Sequence, residues 1–238
     1  MRLNKYLASC GIASRRKADL IISSGRVVVN SITIYDLGIS VDELKDKVDV
    51  DGKRISPVGN KVYLLLNKLP GYVTTRSDPQ GRRTVFYLLP NMKERLFSVG
   101  RLDYDAAGLL LLTNDGELAN RLTHPGYEVP KTYRAWVEGS VSQDSLQQLT
   151  QGVTLEDGPA KAEAASLIRK AAGESVIEIV LKEGRKREVK RLCQAIGHPV
   201  RRLLRIGLGS LKLGDLEPGK WRKLSSREVQ GLYRSPKG

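Results

Sequence analysis

Ser98 to Gly116 read SVGRLDYDAAGLLLLTNDG, and the remainder of the chain is arranged around this stretch. Leu96-Phe97-Ser98-Val99 leads in as a short strand, and Leu109 to Leu112 leads out as an apolar run that predicts a buried strand. Between them, Gly100 and Gly108 bracket Arg101, Asp103 and Asp105. A loop held by two core strands is a rigid way to present polar groups at a sheet edge. Asn114-Asp115-Gly116 closes the second strand with turn chemistry. Taken alone, the segment also allows a plain hairpin with an Arg101–Asp103 surface pair, and exposed pairs of that kind contribute little.

The chain has 238 residues, 40% of them hydrophobic, which is enough for one large domain or a small and a medium one. No apolar run approaches the roughly 20 residues that span a bilayer, and MRLNKYLASCGIASRRK lacks the apolar centre of a secretory signal. Cys10 and Cys193 form no CxxC pattern, and His124 and His198 are the only histidines, so metal-ligand spacing is absent. This composition predicts a reduced, cytoplasmic protein with two structural thiols. The net charge of +14, from 40 Lys+Arg against 26 Asp+Glu, calls for a polyanionic partner. No basic amphipathic helix favours a membrane surface, so nucleic acid is the expected partner. Aromatics are only 5%, so base stacking must rest on a few individual residues.

Residues 1–60 read as a separate small unit with its linker, and 61–238 as a larger one. A short helix begins at Leu3 and stops at Gly11; Ser14 is placed to cap a second, Arg15 to Ser23, with Ala18, Ile21 and Ile22 on its inner side. Gly25 suits the left-handed residue after it, and Val27 to Asn30 follows as a strand. Asp51-Gly52 predicts a tight hairpin between Lys47–Val50 and Lys53–Ile55. Ser56 to Asn60 is linker by composition, and Val62 to Leu66 the next buried strand. Further on, Glu117–Thr123 and Ser142–Thr150 read as helices, and Lys131–Glu138, Ala160–Ile168 and Val176–Leu181 as strands. A helix beginning at Glu183 has Val189, Leu192, Ala195 and Ile196 as its inner face, and its first turns are crowded with cations, against the helix dipole. Arg201, Arg202 and Arg205 continue the basic character along a strand, and Ser225…Glu228 is a capping box for a last helix.

GRLDxxxxGLLLLTNDG resembles the catalytic signature of the ribosomal RNA pseudouridine synthases of the RsuA/RluB type, with Ala106 and Ala107 where that family often has hydroxyl residues. The resemblance continues through NKLPGY, DPQGRR, the K-x-Y of Lys131–Tyr133, EGRxREVxR…GHPV and a closing WRxL at Trp221–Leu224. The order helix, SRRKA, helix, GRVxVN, strand resembles the RNA-binding domain first seen in ribosomal protein S4. Together these imply an α+β chain: a small S4-like domain, then a catalytic domain with a mixed, mostly antiparallel sheet flanked by helices.

By the resemblance, Asp103 is the catalytic carboxylate, Lys190 the cation paired with it, and Tyr133 the wall on which the flipped base stacks. Asp105 is the rival within the loop. RNA contacts are expected from Arg101, Lys68, Arg82, Arg185 and Arg187, and in the small unit from Arg2, Lys5, Arg15, Arg16 and Lys17. Such contacts to phosphates supply affinity and placement rather than sequence reading. Breaking N1–C1′ of uridine and forming C5–C1′ is an isomerisation, so the resemblance implies no cofactor and no metal. LEDGPA at Leu155–Ala160 and GRKREVKR look most like the branch acting on large-subunit RNA, with the small-subunit branch the alternative. The expected partner is ribosomal RNA, bound by a monomer away from any membrane. A non-catalytic ribosomal RNA-binding protein is the reading from another class; a glycosidase using Asp103 and Asp105 is poorly served by two carboxylates so close in one loop.

Overall fold

The computed structural model describes residues 1–92 and 94–234. The chain divides into two units, the first mainly Met1–Val62 and the second mainly Tyr63 onward. In the first, α1 (Leu3–Ser9) and α2 (Arg15–Ser23) precede β1 (Val27–Val29), β2 (Ile32–Ile34), β3 (Val48–Val50) and β4 (Lys53–Arg54), which pair in the order β2-β1-β3-β4. Ser14 caps α2 by accepting from the Lys17 backbone N–H. Leu3, Leu7, Ala18, Ile22, Val27 and Val48 form the core. Burying Ala18 and Ile22 turns Arg15, Arg16 and Lys17 outward, and all three are exposed. A Cβ on Gly25 (φ +69°) would meet the Tyr35 ring at 2.6 Å, so glycine is required there for space as well as backbone. The β1–β2 hairpin was not expected: Asn30 and Ser31 both take positive φ in a two-residue turn, as Asp51 and Gly52 do between β3 and β4.

The second unit runs β5 (Tyr63–Lys68), β6 (Phe97–Ser98), β7 (Ala107–Thr113), α3 (Gly116–Thr123), β8 (Lys131–Glu138) and α4 (Gln143–Gln151). It continues through β9 (Val153–Leu155), β10 (Gly158–Ala160), β11 (Ala164–Ala171), β12 (Glu174–Leu181), α5 (Glu188–Ala195), β13 (Val200–Leu208), β14 (Leu211–Lys212), β15 (Trp221–Lys223) and α6 (Ser226–Arg234). The main sheet has the order β11-β12-β8-β13-β7-β5-β15, with β14 on β13 and β6 on β7. Its pairings are antiparallel except β13–β7, which meet in parallel at Leu204↔Ala107 and Arg205↔Gly108. The expected α+β fold is present: a mixed, mostly antiparallel sheet flanked by helices.

Leu64–Leu66 and Leu109–Leu112 are all fully buried, as continuous apolar runs covered on both faces should be. Leu65, Leu109 and Leu111 pack with Leu118 and Leu122 of α3 and Leu232 of α6. Each such side chain contributes about 1.5–3 kcal/mol. Caps expected from sequence hold their helices: Ser142 accepts from Ser145 N–H at α4, and Ser225 and Glu228 exchange bonds at α6. Burial pushes the Cys10 thiol up to about 11 and Cys193 up to about 12, which keeps both protonated. No helix among the described residues is long and apolar enough to cross a membrane.

Two elements differ from expectation. The strand expected over 160–168 is interrupted, because Ala162 is buried and its N–H bonds Leu149 O at the end of α4. The helix expected from Glu183 begins at Glu188. Arg187 takes a left-handed conformation (φ +52°), and the Glu188 carboxylate turns back to accept from Arg185 N–H at 2.9 Å. The first turn thus carries an acid, and Arg185, Lys186 and Arg187 lie before it, which removes the conflict with the dipole. Cys193, rather than the exposed Ala195, completes the inner face with Val189 and Leu192.

Candidate active site

One row of residues crosses five strands of the sheet. Ile179 pairs with Tyr133, Tyr133 with Arg205, Arg205 with Gly108, and Gly108 with Lys68. With strands about 4.8 Å apart, Tyr133 and Gly108 stand about 10 Å apart, separated by Arg205. The loop carrying Asp103 and Asp105 enters the sheet at this row. It can do so only through glycine: a Cβ on Gly108 (φ +104°) would lie 2.2 Å from Arg205 O.

Lys68 is the hub of that loop. Its side chain is 0% exposed, and Nζ donates to the carbonyls of Ala106 (2.7 Å), Asp103 (3.0 Å) and Leu69 (3.0 Å), with Tyr104 O at 3.4 Å. Burial pushes its pKa down to about 8, while Asp105 and Asp103 pull it back up. Thr74 Oγ1 adds a bond to Leu102 O at 2.8 Å, and Tyr104 O accepts from Gly71 N–H. The expectation that Lys68 contacts RNA is therefore corrected: a lysine with no accessible surface holds the loop from beneath. NKLPGY, the segment Lys68 belongs to, supplies this support.

The cation of α5 is also placed differently from expectation. Lys190 Nζ donates to Asp105 Oδ2 at 2.5 Å, and Arg187 Nη1 is 4.0 Å from the same oxygen. The turn closed by Ala106 N–H to Asp103 O swings Asp105 outward to meet α5. Burial raises the Asp105 pKa, but the Lys190 hydrogen bond and the two positive charges outweigh it and hold the carboxyl below its ordinary value. Lys190 keeps only 13% of its side chain exposed, against 53% for Asp105.

Arg205, expected as part of a basic surface, is only 2% exposed. Its Nε donates to Leu109 O at 2.8 Å across the parallel junction, and Nη2 has no partner. Lys131 is also largely buried and donates to Val129 O and Lys182 O; burial and the Arg205 charge push its pKa down. Sequence reasoning missed the positioning role of Arg205, although a lone arginine inside LLRIGL was a signal of it. It also missed Asp157, which grips Arg191 at 2.7 Å and lies 3.8 Å from Arg185.

Among the other residues named from sequence, Arg101 is exposed on the loop. Arg82 is exposed but forked on Asp78, whose carboxyl it pulls down to about 2. Arg185 is held by Glu183 and Asp157. Arg2, Lys5, Arg15, Arg16 and Lys17 are all exposed in the first unit, with Arg2 bonded to Gly38 O. Among the described residues no group of His, Cys, Asp and Glu is arranged to hold a metal ion.

Residues 62–195 match the RNA pseudouridylate synthase family, and residues 1–43 match the S4 domain. The chain is 48% identical to an uncharacterized RNA pseudouridine synthase of Aquifex aeolicus, over 99% of this chain and 94% of that one. It is 43% identical to the ribosomal large subunit pseudouridine synthase B of Bacillus subtilis, over 97% and 95%. A solved pseudouridylate synthase structure superposes with a TM-score of 0.69 at 28% identity, covering 98% of this chain and 99% of that one.

Proposed function

As the chain belongs to the RNA pseudouridylate synthase family and carries an S4 domain ahead of its catalytic part, we propose that its substrate is large-subunit (23S) ribosomal RNA and its catalytic carboxylate Asp103. The substrate reading draws on the relatives named as ribosomal large subunit synthases at 42–43% identity. The row Tyr133–Arg205–Gly108–Lys68 is the observation that carries the site reading. It sets an aromatic side chain about two strand spacings from a loop that bears carboxylates and is fixed from below.

In this reading the target uridine leaves its stack and lies with its base against Tyr133, which replaces part of the lost stacking. Asp103 acts as the nucleophile or as the base that initiates cleavage of N1–C1′. The base turns, C5–C1′ forms, and the proton from C5 is lost as N1 gains one, so atoms and charge balance without a co-reactant. Lys190, through Asp105, holds the loop against α5, and with Arg187 nearby it adds positive potential near the developing anionic base. The exposed cations of the S4 domain, Arg15, Arg16 and Lys17 first among them, supply salt-dependent phosphate contacts.

The test is pseudouridine mapping of 23S and 16S ribosomal RNA incubated with the wild-type protein and with Asp103→Asn. One new site in 23S RNA, lost in the variant while RNA binding persists, is the expected result. A site confined to 16S RNA overturns the substrate assignment, and turnover by Asp103→Asn overturns the nucleophile.

A further inference from the structure

A cleft of roughly 420 Å³ lies between α5, the β9–β10 hairpin and the start of β13. Lys190, Arg191 and Gln194 line it as one stripe of α5, with Arg187 just ahead of the helix; Leu155 and Val200 give it apolar walls. Lys190 belongs both to this cleft and to the Asp105 contact, so one side chain links the cleft to the catalytic loop. The hairpin that forms its far wall is the LEDGPA segment, for which the isomerisation supplies no role.

Three features say what would fit. The volume suits a mononucleotide rather than a larger group. Of the lining cations, Arg191 is taken by Asp157 and Lys190 by Asp105. Arg187 is half exposed and its nearest carboxylate is 4.0 Å away and already bonded to Lys190, so its guanidinium is the one available to an anion. Arg187 also sits in a left-handed conformation uncommon for a side chain of its size, which projects it at this point. Asp157 pins the hairpin tip to α5, making the cleft a fixed slot rather than a gap between loose segments.

We propose that this cleft is a subsite for the nucleotide that neighbours the target uridine in single-stranded RNA, its base against Leu155 and Val200 and its phosphate on Arg187. The inference rests on the RNA-modifying reading above and adds a second base-binding position to it. RNA threaded this way would carry its backbone past Lys190, leaving the target uridine facing Tyr133.

Gln194 and Ala195 are exposed in the cleft, so Gln194→Trp and Ala195→Trp fill it without touching the core. Two readouts test the proposal: binding of fluorescently labelled hexauridylate, and steady-state pseudouridine formation on ribosomal RNA. Both variants should unfold at the wild-type temperature, bind hexauridylate at least fivefold more weakly, and raise KM about tenfold with kcat unchanged. Glu156→Gln, which removes the acid in the lining, should bind more tightly than wild type. Wild-type hexauridylate affinity in both filled variants overturns the subsite. Wild-type protein that forms no pseudouridine, while the filled variants still lose hexauridylate binding, overturns the catalytic reading and leaves the cleft standing.

Discussion

Replacing Lys68 by methionine should separate the fold from its activity. At pH 7 the variant loses three short charge-assisted bonds to carbonyls, each worth about 1.5–3 kcal/mol net. It also escapes the cost of burying an ammonium, which the fall from 10.5 to about 8 sets at about 3 kcal/mol. The balance is a loss of about 3 kcal/mol, which a domain stable by about 5–15 kcal/mol survives. The loop fares worse, since the carbonyls of Asp103 and Ala106 lose their shared donor. Misplacement of about 1 Å at a reacting group costs about 100-fold, so kcat should fall at least that far with KM little changed.

The pH dependence gives a second signature. Folded Lys68 holds its proton more weakly than the unfolded chain does. Between pH 8 and 10.5 the unfolded state therefore binds more protons, and wild-type stability gains from this group as pH rises. Below pH 8 the cost is present in full and constant. Urea unfolding of both proteins from pH 7 to 10 should show the wild type pulling ahead of Lys68→Met across that window. A gap that stays flat with pH, or a variant with wild-type kcat in single-turnover assays, would refute the role given to Lys68.

Gly108→Ala must place a Cβ 2.2 Å from Arg205 O at φ +104°; it should destabilise the second unit by about 3–5 kcal/mol, read as a fall of about 10 °C in Tm, and a near-wild-type Tm contradicts the close approach. Asp105→Asn should weaken the Lys190 contact and lower kcat about 10- to 100-fold while leaving measurable turnover; loss of all turnover here, with Asp103→Asn still active, exchanges the two roles. Changing Arg15, Arg16 and Lys17 together to alanine should reduce the slope of log affinity against log salt by about 2–3 in filter binding, with kcat at saturating RNA unchanged.

The parts legible in the sequence were those written in local chemistry. Ser14, Ser142 and the Ser225–Glu228 box mark helix starts because a side-chain oxygen must meet an orphan N–H nearby, and Gly100 and Gly108 mark the loop because the backbone there needs positive φ. The unread parts depend on contacts distant in sequence. Lys68 reads from sequence as an RNA contact because the carbonyls of Asp103 and Ala106 that bury it lie more than thirty residues away. Lys190 was matched to Asp103 by motif, and only the turn within the loop shows why Asp105 is the one it meets. The start of α5 reads too early in the sequence because an acid three residues ahead, Glu188, bonds back to Arg185.

The sheet is closed by β15, whose Trp221–Lys223 pair with Leu64–Leu66, partners about 155 residues apart in sequence. A chain still being synthesised therefore carries β5 with one edge of unpaired N–H and C=O groups until residues near 223 are available. Lys68 sits at the end of that same strand, and Arg205 arrives on β13 only shortly before. The order of synthesis thus acts as a timer: the first unit is complete early, and the edge of β5 is covered only once β15 is in place. During that interval β5 is the segment a chaperone has most reason to cover.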